Sequence, residues 1–426
     1  MSRTRLSLAL SALMIAVPLA RTTAGTGVGD LDPTIARTDQ NDSRGKVVVL
    51  ETDLVADIPG LLDRYGIVHS AFVLDPHLVN PWGVTEAPTS PFWVADNGAG
   101  VSTLYGVPGG GNTVSIVPRV FSIPGPADPL SRNGTPTGAV FNTDLAGQGF
   151  KVVGVDRNHN AAAGPALFLF ATEDGTIVGW NPDINPSGFD PSLAGTYGIV
   201  AVDNSANPTA ADGAVYKGLA IATDAHGKTF LYATNFRAGT IEVYDASFKP
   251  VTLSHGAFTD PHLPHGYAPF NIAVIGGRLF VTYAKQDRAK HDDVARPGHG
   301  VVDVFDLSGQ MLSRFTQRGH LNSPWGLVQA PASFGEFAAA ILIGNFGDGR
   351  IHAFDPDNGR FLGTVTNTLG QAILIDGLWS LTVGNGTNGG ETGTIYFTAG
   401  PNGEKDGLFG SLTPVALGTP CGIPCR

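Results

Sequence analysis

Short apolar runs, each closed by a turn rich in Gly, Asn or Asp, follow one another along nearly the whole chain. One phrase recurs. It is Asn80-Pro81-Trp82-Gly83 followed by Phe92-Trp93-Val94-Ala95-Asp96-Asn97-Gly98, and it returns as Ser323-Pro324-Trp325-Gly326 followed by Ile341-Leu342-Ile343-Gly344-Asn345-Phe346. Each copy implies a strand opened by a turn and a second strand that ends in a polar loop. The second strands, such as residues 166–171, are almost wholly apolar, as strands covered on both faces are. Third strands alternate: in Ile241-Glu242-Val243-Tyr244-Asp245 apolar and polar residues trade places, the period of a half-buried strand.

Six such units align. Their first strands open at Trp82-Gly83, Thr137-Gly138, Lys217-Gly218, Pro269-Phe270-Asn271, Trp325-Gly326 and Leu378-Trp379. The later ones start about 54 residues apart, which suits one four-stranded propeller blade with generous loops. The second unit is longer, with an apparent insertion between residues 181 and 213. The sixth has no fourth strand of its own, and Val47-Val48-Val49-Leu50-Glu51-Thr52-Asp53-Leu54-Val55 is a spare one. The pattern therefore predicts an all-β, six-bladed β-propeller over residues 46–415. Its ring is closed by the N-terminal strand completing the last blade, which removes an exposed sheet edge. No long helix-period segment interrupts it.

Composition adjusts this picture at the ends. The 57 glycines and 30 prolines punctuate apolar runs in a chain that is 42% hydrophobic and 15% charged, so they signal turns rather than disorder. Arg3 and Arg5 precede an apolar run from Leu6 to Ala20, with small residues up to Ala24. This is the pattern of a secretory signal peptide over residues 1–24, and about 15 apolar residues are short for a membrane span. Residues 25–45 then form a flexible leader, and no later stretch is long enough to be an integral membrane segment. The expected location is secreted or periplasmic. The only cysteines, Cys421 and Cys425, fall in the tail 416–426, either as a small disulfide loop or as two plain thiols. A net charge of −11 repels a phosphate backbone and argues against nucleic acid as a partner.

Several phrases are similar to a known family. They are residues 54–60 (LVADIPG), Asn80-Pro81-Trp82-Gly83, residues 168–176 (FLFATEDGT), residues 214–220 (AVYKGLA), and Tyr283-Ala284-Lys285-Gln286-Asp287 with Lys290-His291-Asp292-Asp293-Val294. The chain resembles a family of uncharacterised, secreted, mainly bacterial proteins, some with a PEP-CTERM sorting tail. The resemblance implies an exported propeller and no known reaction. The ending Gly418-Thr419-Pro420-Cys421-Gly422-Ile423-Pro424-Cys425-Arg426 departs from the sorting-tail members. The unit plan is also similar to NHL-type and lactonase-type six-bladed propellers, a likeness of architecture.

In such a ring the loops leading into the first strands and the loops after the second strands share one rim. Trp82, Asn97, Lys285, Gln286, Trp325 and Trp379 are the candidate ligand-binding residues there. Glu173, Asn235, Asn271, Asn345 and Asp376 carry the oxygens a calcium ion requires. Asn, Asp and Gly are also ordinary turn residues, and Trp-Gly repeats also serve packing. The loop 285–300 is longer than a hairpin needs. Within it His291 is a candidate general base oriented by Asp287, Asp292 or Asp293. The alternatives are a metal ligand set of His291, Asp292 and Asp293 or a solvated charged loop. His262 and His265 do not match a helical zinc motif. Gly384-Asn385-Gly386-Thr387-Asn388-Gly389 fits a dinucleotide fingerprint but precedes a strand, so no helix end is there to hold a pyrophosphate. No G-x-S-x-G elbow is present. Two functions lead, binding of an unknown small molecule or protein by a monomer through the rim, or a calcium-dependent hydrolase of lactonase type acting in the channel, and a structural envelope protein with no small ligand is a third.

Overall fold

In a computed structural model, which describes residues 47–109 and 113–416, the apolar runs are strands of six radially arranged sheets. The inner strands are Pro81–Thr85, Pro136–Phe141, Tyr216–Thr223, Tyr267–Ile275, Pro324–Gln329 and Leu378–Val383. Each pairs antiparallel with a second strand: Phe92–Asp96, Phe168–Thr172, Thr229–Asn235, Arg278–Lys285, Ile341–Asn345 and Ile395–Ala399. The second strands of blades 1, 2, 5 and 6 are buried throughout, which explains why their residues do not alternate.

The core is divided by the ring. One apolar cluster fills each gap between neighbouring blades. Between blades 1 and 2, Trp93 stacks on Phe168 at 4.2 Å and meets Phe121 and Trp180. A further cluster of Trp82, Phe236, Phe270, Trp325 and Trp379 draws on blades 1, 3, 4, 5 and 6 and occupies the axis.

The ring closes as the pattern predicts. Val47–Ala56 is the fourth strand of blade 6 and pairs antiparallel with Leu408–Ala416, from Val47↔Ala416 to Ala56↔Leu408. Val48, Val49, Leu54, Val55 and Ala56 are buried there. Each fully buried Val or Leu of this set contributes about 1.5–3 kcal/mol, so closure is carried by the core and not by the ladder alone. Val73–Leu74 adds a short parallel strand outside it.

Blade 2 departs from expectation. Residues 181–213 are not a plain insertion, because they hold the blade's outer strand, Gly198–Asp203, after a 3-10 turn at Pro191–Leu193. Extra chain also lies earlier, as a hairpin of Lys151–Val155 with Ala161–Pro165. Its second strand, Ala-Ala-Ala-Gly-Pro, has no apolar alternation to reveal it. Blade 3 contains three strands among the described residues. Among the described residues no helix is long and apolar enough to cross a membrane. The signal, leader and cysteine-tail assignments lie outside the described residues, apart from Ala416.

At the axis the inner strands touch backbone to backbone. A Cβ on Gly83 would stand 2.4 Å from the carbonyl of Thr137, one on Gly138 2.4 Å from the amide of Leu219, and one on Gly218 2.8 Å from Cα of Asn271. Gly138→Ala is expected to cost roughly 1–3 kcal/mol by overpacking. Gly393→Ala, whose nearest neighbour would be Ser333 Oγ at 3.4 Å, is expected to be close to neutral. Urea unfolding of the two variants side by side checks this, and equal stabilities would refute the close approach.

Candidate functional site at the channel mouth

Every inner strand is irregular at the same place. The register with the second strand slips directly after Pro81, Pro136, Tyr216, Pro269, Pro324 and Leu378. A bulge at that point bends the strand and re-aims the next side chain. The residues that follow are Trp82, Thr137, Lys217, Phe270, Trp325 and Trp379. Six blades thus present one equivalent position to the axis, and blade 3 alone places a charge there.

The aromatic members form a floor. Trp82 stacks on Trp379 with centroids 3.5 Å apart, and Phe346 stacks on Trp379 at 4.0 Å. Trp325 meets both Trp82 and Trp379 edge-on, at 6.0 and 5.8 Å. The Lys217 ammonium lies over Trp82 at 4.8 Å and over Phe236 at 5.9 Å, within cation–π range. Lys217 is 1% exposed. Such a charge is sustained only if it is paired. Nζ binds Glu173 Oε1 and approaches Asp292 Oδ1 at 3.4 Å. Burial alone would lower the ammonium's pKa, but Glu173, Asp292 and Asp293 outweigh it and hold the group above the ordinary lysine value.

A hydrogen-bonded circuit surrounds this ion cluster. Trp379 Nε1 donates to Asn80 Oδ1 at 2.9 Å, and Asn80 Nδ2 donates to Glu404 at 2.8 Å and Asn97 at 3.3 Å. Asn97 Nδ2 donates to the second oxygen of Glu173 at 2.8 Å. Past Lys217, Asp292 Oδ1 pairs with His291 Nδ1 at 2.8 Å. The circuit joins blades 6, 1, 2, 3 and 4. Blade 4 reaches blade 3 because its hairpin runs two residue pairs further, Ala268↔Ala284 and Tyr267↔Lys285, before the long loop begins. The hydrogen bond to Asp292, with help from Glu173, raises the His291 pKa above 6.5. The same bond, with Lys217, lowers Asp292 to about 2.

The structure distributes the sequence-derived candidates unevenly. Glu173, His291 and Asn97 belong to the circuit. Trp82, Trp325 and Trp379 are its buried floor. Asp287 accepts the backbone N–H of His291 at 2.9 Å, and it is Asp292 that holds the ring. Gln286 Nε2 donates to the carbonyl of Phe236 and ties blade 4 to blade 3, while Lys285 closes the ladder of its own hairpin. Asn235 Oδ1 accepts from the amides of Val215 and Ala238, and Asn345 Oδ1 from that of Asn322. Asn271 Nδ2 donates to the carbonyl of Trp325 at 2.7 Å. Asp376 takes the Arg64 guanidinium at 2.7 Å and the amide of Asn402 at 2.9 Å. Of the five proposed calcium ligands, Glu173 is the one in the circuit, and the other four are bonded within or between blades elsewhere.

Lys217 and Glu404 were not among the candidates. A signal for Lys217 was present, since it stands where the aligned units carry Trp82, Trp325 and Trp379. Asn80 and Glu404 are 324 positions apart in the chain, and no local pattern joins them.

Further along the inner strands the channel widens to a cavity of about 320 Å³, lined by Val84, Glu86, Val140, Ile272, Leu327 and Thr382 among others. Burial there pushes the Glu86 carboxyl up to about 8.

No known protein-family profile matches the chain. It is 33% identical over 344 residues to an uncharacterised protein of Acanthamoeba polyphaga mimivirus, covering 79% of this chain and 81% of that one. The chain belongs to the same family. A second uncharacterised protein of that virus is 30% identical over 342 residues, 79% of this chain and 76% of its own. Among solved structures the family member described here is similar to streptogramin B lyase, with 11% identity and a TM-score of 0.43 over 87% of this chain and 98% of that one.

Removing one partner of a buried ion pair costs about 3–5 kcal/mol, because the other charge is left uncompensated. Lys217→Met is expected to lose stability on that scale, and Lys217→Met with Glu173→Gln to regain part of it. Additive losses in denaturant unfolding would contradict the coupling. The His291–Asp292 pair sets a pH window. The raised His291 contributes fully below pH 6.5 and its share fades as pH climbs through the raised value. The lowered Asp292 contributes above 3.8 and its share is lost as pH falls through about 2. The pair therefore contributes most between those two ordinary values, weakly, because both groups are partly solvated. In an NMR titration the His291 midpoint should lie above 6.5 and fall in Asp292→Asn; an unmoved midpoint would rule the pairing out.

Proposed function

We propose that this protein is a ligand-binding propeller whose site is the channel mouth above Lys217. The observation that carries the reading is the circuit itself: a buried ammonium fixed by Glu173 and Asp292, on an aromatic floor, with amide and carboxylate groups from the four blades 6, 1, 2 and 4 arranged around it. Its members hold one another in place, so the site is preorganised, and preorganisation lowers the entropic cost of binding. Carboxylates outnumber bases there, with Glu173, Asp292, Asp293 and Glu404 against Lys217 and His291. The fitting ligand is small and rich in hydrogen-bond donors, as a hydroxylated compound or an amine is. Export from the cytoplasm is part of the proposal, supported by Arg3 and Arg5 ahead of the apolar run to Ala20 and readable by N-terminal sequencing of the mature chain.

A second reading, metal-assisted hydrolysis, has one observation in its favour: ligand atoms of Glu173, His291 and Asp292 all lie within 4.8 Å of one another. A calcium ion held by the Glu173 and Asp292 oxygens would polarise a substrate oxygen, with His291 outside its ligand set to take a proton. Lys217 already offers those carboxylates a positive charge, which is why binding without a metal is the first reading.

Thermal melts of the wild-type protein against hydroxylated and amine compounds, with and without chelator, separate the two. A ligand at about 100 times its dissociation constant stabilises by about 2.7 kcal/mol. Stabilisation that survives chelator and disappears in Asn97→Ala is the expected result. A calcium-reversible loss of melting temperature that Asp292→Asn abolishes would replace binding with the hydrolase reading.

A further inference from the structure

A second cluster of metal-type side chains lies away from the mouth, on the strand that closes the ring. Glu51 and Asp53 are two residues apart on Val47–Ala56, so the pleat points both to one side of the sheet. The loop that follows returns over that side, fixed by His69 N–H to the carbonyl of Leu61 at 2.7 Å. It places the His69 ring, 1% exposed, against Asp53, with Nδ1 3.0 Å from Oδ1. One ligand atom each from Glu51, Asp53 and His69 lie within 4.8 Å of one another. Two donors bound at about 2.0–2.2 Å to one ion stand about 3–3.5 Å apart, which is the Asp53–His69 spacing.

The far side of the imidazole has its own partner. Nε2 faces Asp63 Oδ2 at 3.4 Å, and the Asp63 side chain is fully buried. Asp63 Oδ1 accepts the amides of Tyr65 and Ile67 at 2.9 and 2.8 Å, so the carboxylate cannot turn away. An imidazole that gives one nitrogen to a fixed carboxylate presents the other as a metal ligand of fixed direction. Charge points the same way. Three carboxylates face one imidazole, and among the described residues no lysine or arginine is ion-paired with Glu51, Asp53 or Asp63. A divalent cation held there would add positive charge beside these carboxylates.

We propose that Glu51, Asp53 and His69 bind one divalent transition-metal ion that staples the ring-closing strand to the loop 57–72, with Asp63 as the positioning residue for His69. One nitrogen and two oxygens suit zinc, manganese or ferrous iron; calcium takes oxygen ligands and is disfavoured by the imidazole. Three protein ligands leave positions for water. The staple holds a loop that presents Ile58, Leu62, Tyr65 and Phe72 to solvent and sends Arg64 to Asp376. It is independent of the mouth and of any ligand there.

The test strips the full chain with EDTA and titrates it with zinc and with manganese, reading stoichiometry by calorimetry and melting temperature by circular dichroism. One equivalent of at least one of the two metals should bind and raise the melting temperature. Binding should vanish in Glu51→Gln, whose side chain is partly exposed and whose fold should persist, and in His69→Gln. Asp63→Asn should retain one equivalent with about 10–100-fold weaker affinity. Asp292→Asn, at the mouth, should bind like wild type. No binding of either metal, or binding lost in Asp292→Asn and kept in Glu51→Gln, would overturn the proposal.

Discussion

The contact of inner strands at the axis, close enough that Gly83, Gly138 and Gly218 leave no room for a Cβ, is the constraint on which the rest depends. It brings six strands to one line, and each strand relieves the crowding with a bulge at the same register position. The bulge turns the next side chain toward the axis, and the fold must then fill a channel with six side chains of its choosing. Three tryptophans and a phenylalanine do most of that filling. Blade 4 departs by putting Asn271 where its neighbours have glycine, and the amide is used to bond across to blade 5 through the carbonyl of Trp325.

Given that geometry, a lysine at one of the six positions has consequences. Its stem packs where indoles pack elsewhere, and its ammonium arrives in a place that water scarcely reaches. The carboxylates of Glu173 and Asp292 come from the neighbouring blades on either side, so the ion cluster is also an inter-blade bond. Asn97, Asn80 and Glu404 extend it round the ring. A site of this kind is rigid by construction, because loosening one member leaves another charge or amide buried without a partner.

Closure of the ring is a separate problem, solved at the outer edge of blade 6. The N-terminal strand supplies both a ladder and an apolar face, so the first described residues and the last are paired. The same strand carries Glu51 and Asp53, and the loop after it brings His69 and Asp63 back to them. Ring closure and the acidic–imidazole cluster therefore share one segment of about 25 residues.

The six repeats, the closing strand and the propeller itself were legible in the sequence because each rests on local periodicity: apolar runs, alternation, and turn residues at regular spacing. The hairpin at Lys151–Pro165 was hidden because alanine and glycine leave no pattern. Of the mouth, Glu173, Asn97 and His291 could be named from their place after a strand or in a long loop. The partners could not. Which carboxylate holds His291, that Asn80 meets Glu404, and that Lys217 is buried over Trp82 depend on where separate blades meet. Sequence alone determined the repeating inner, second and third strands and the strand that closes the ring, since those patterns are set by neighbours in the chain. Tertiary structure decided which side chains share the axis, since convergence of six strands joins residues hundreds of positions apart and no local pattern records it.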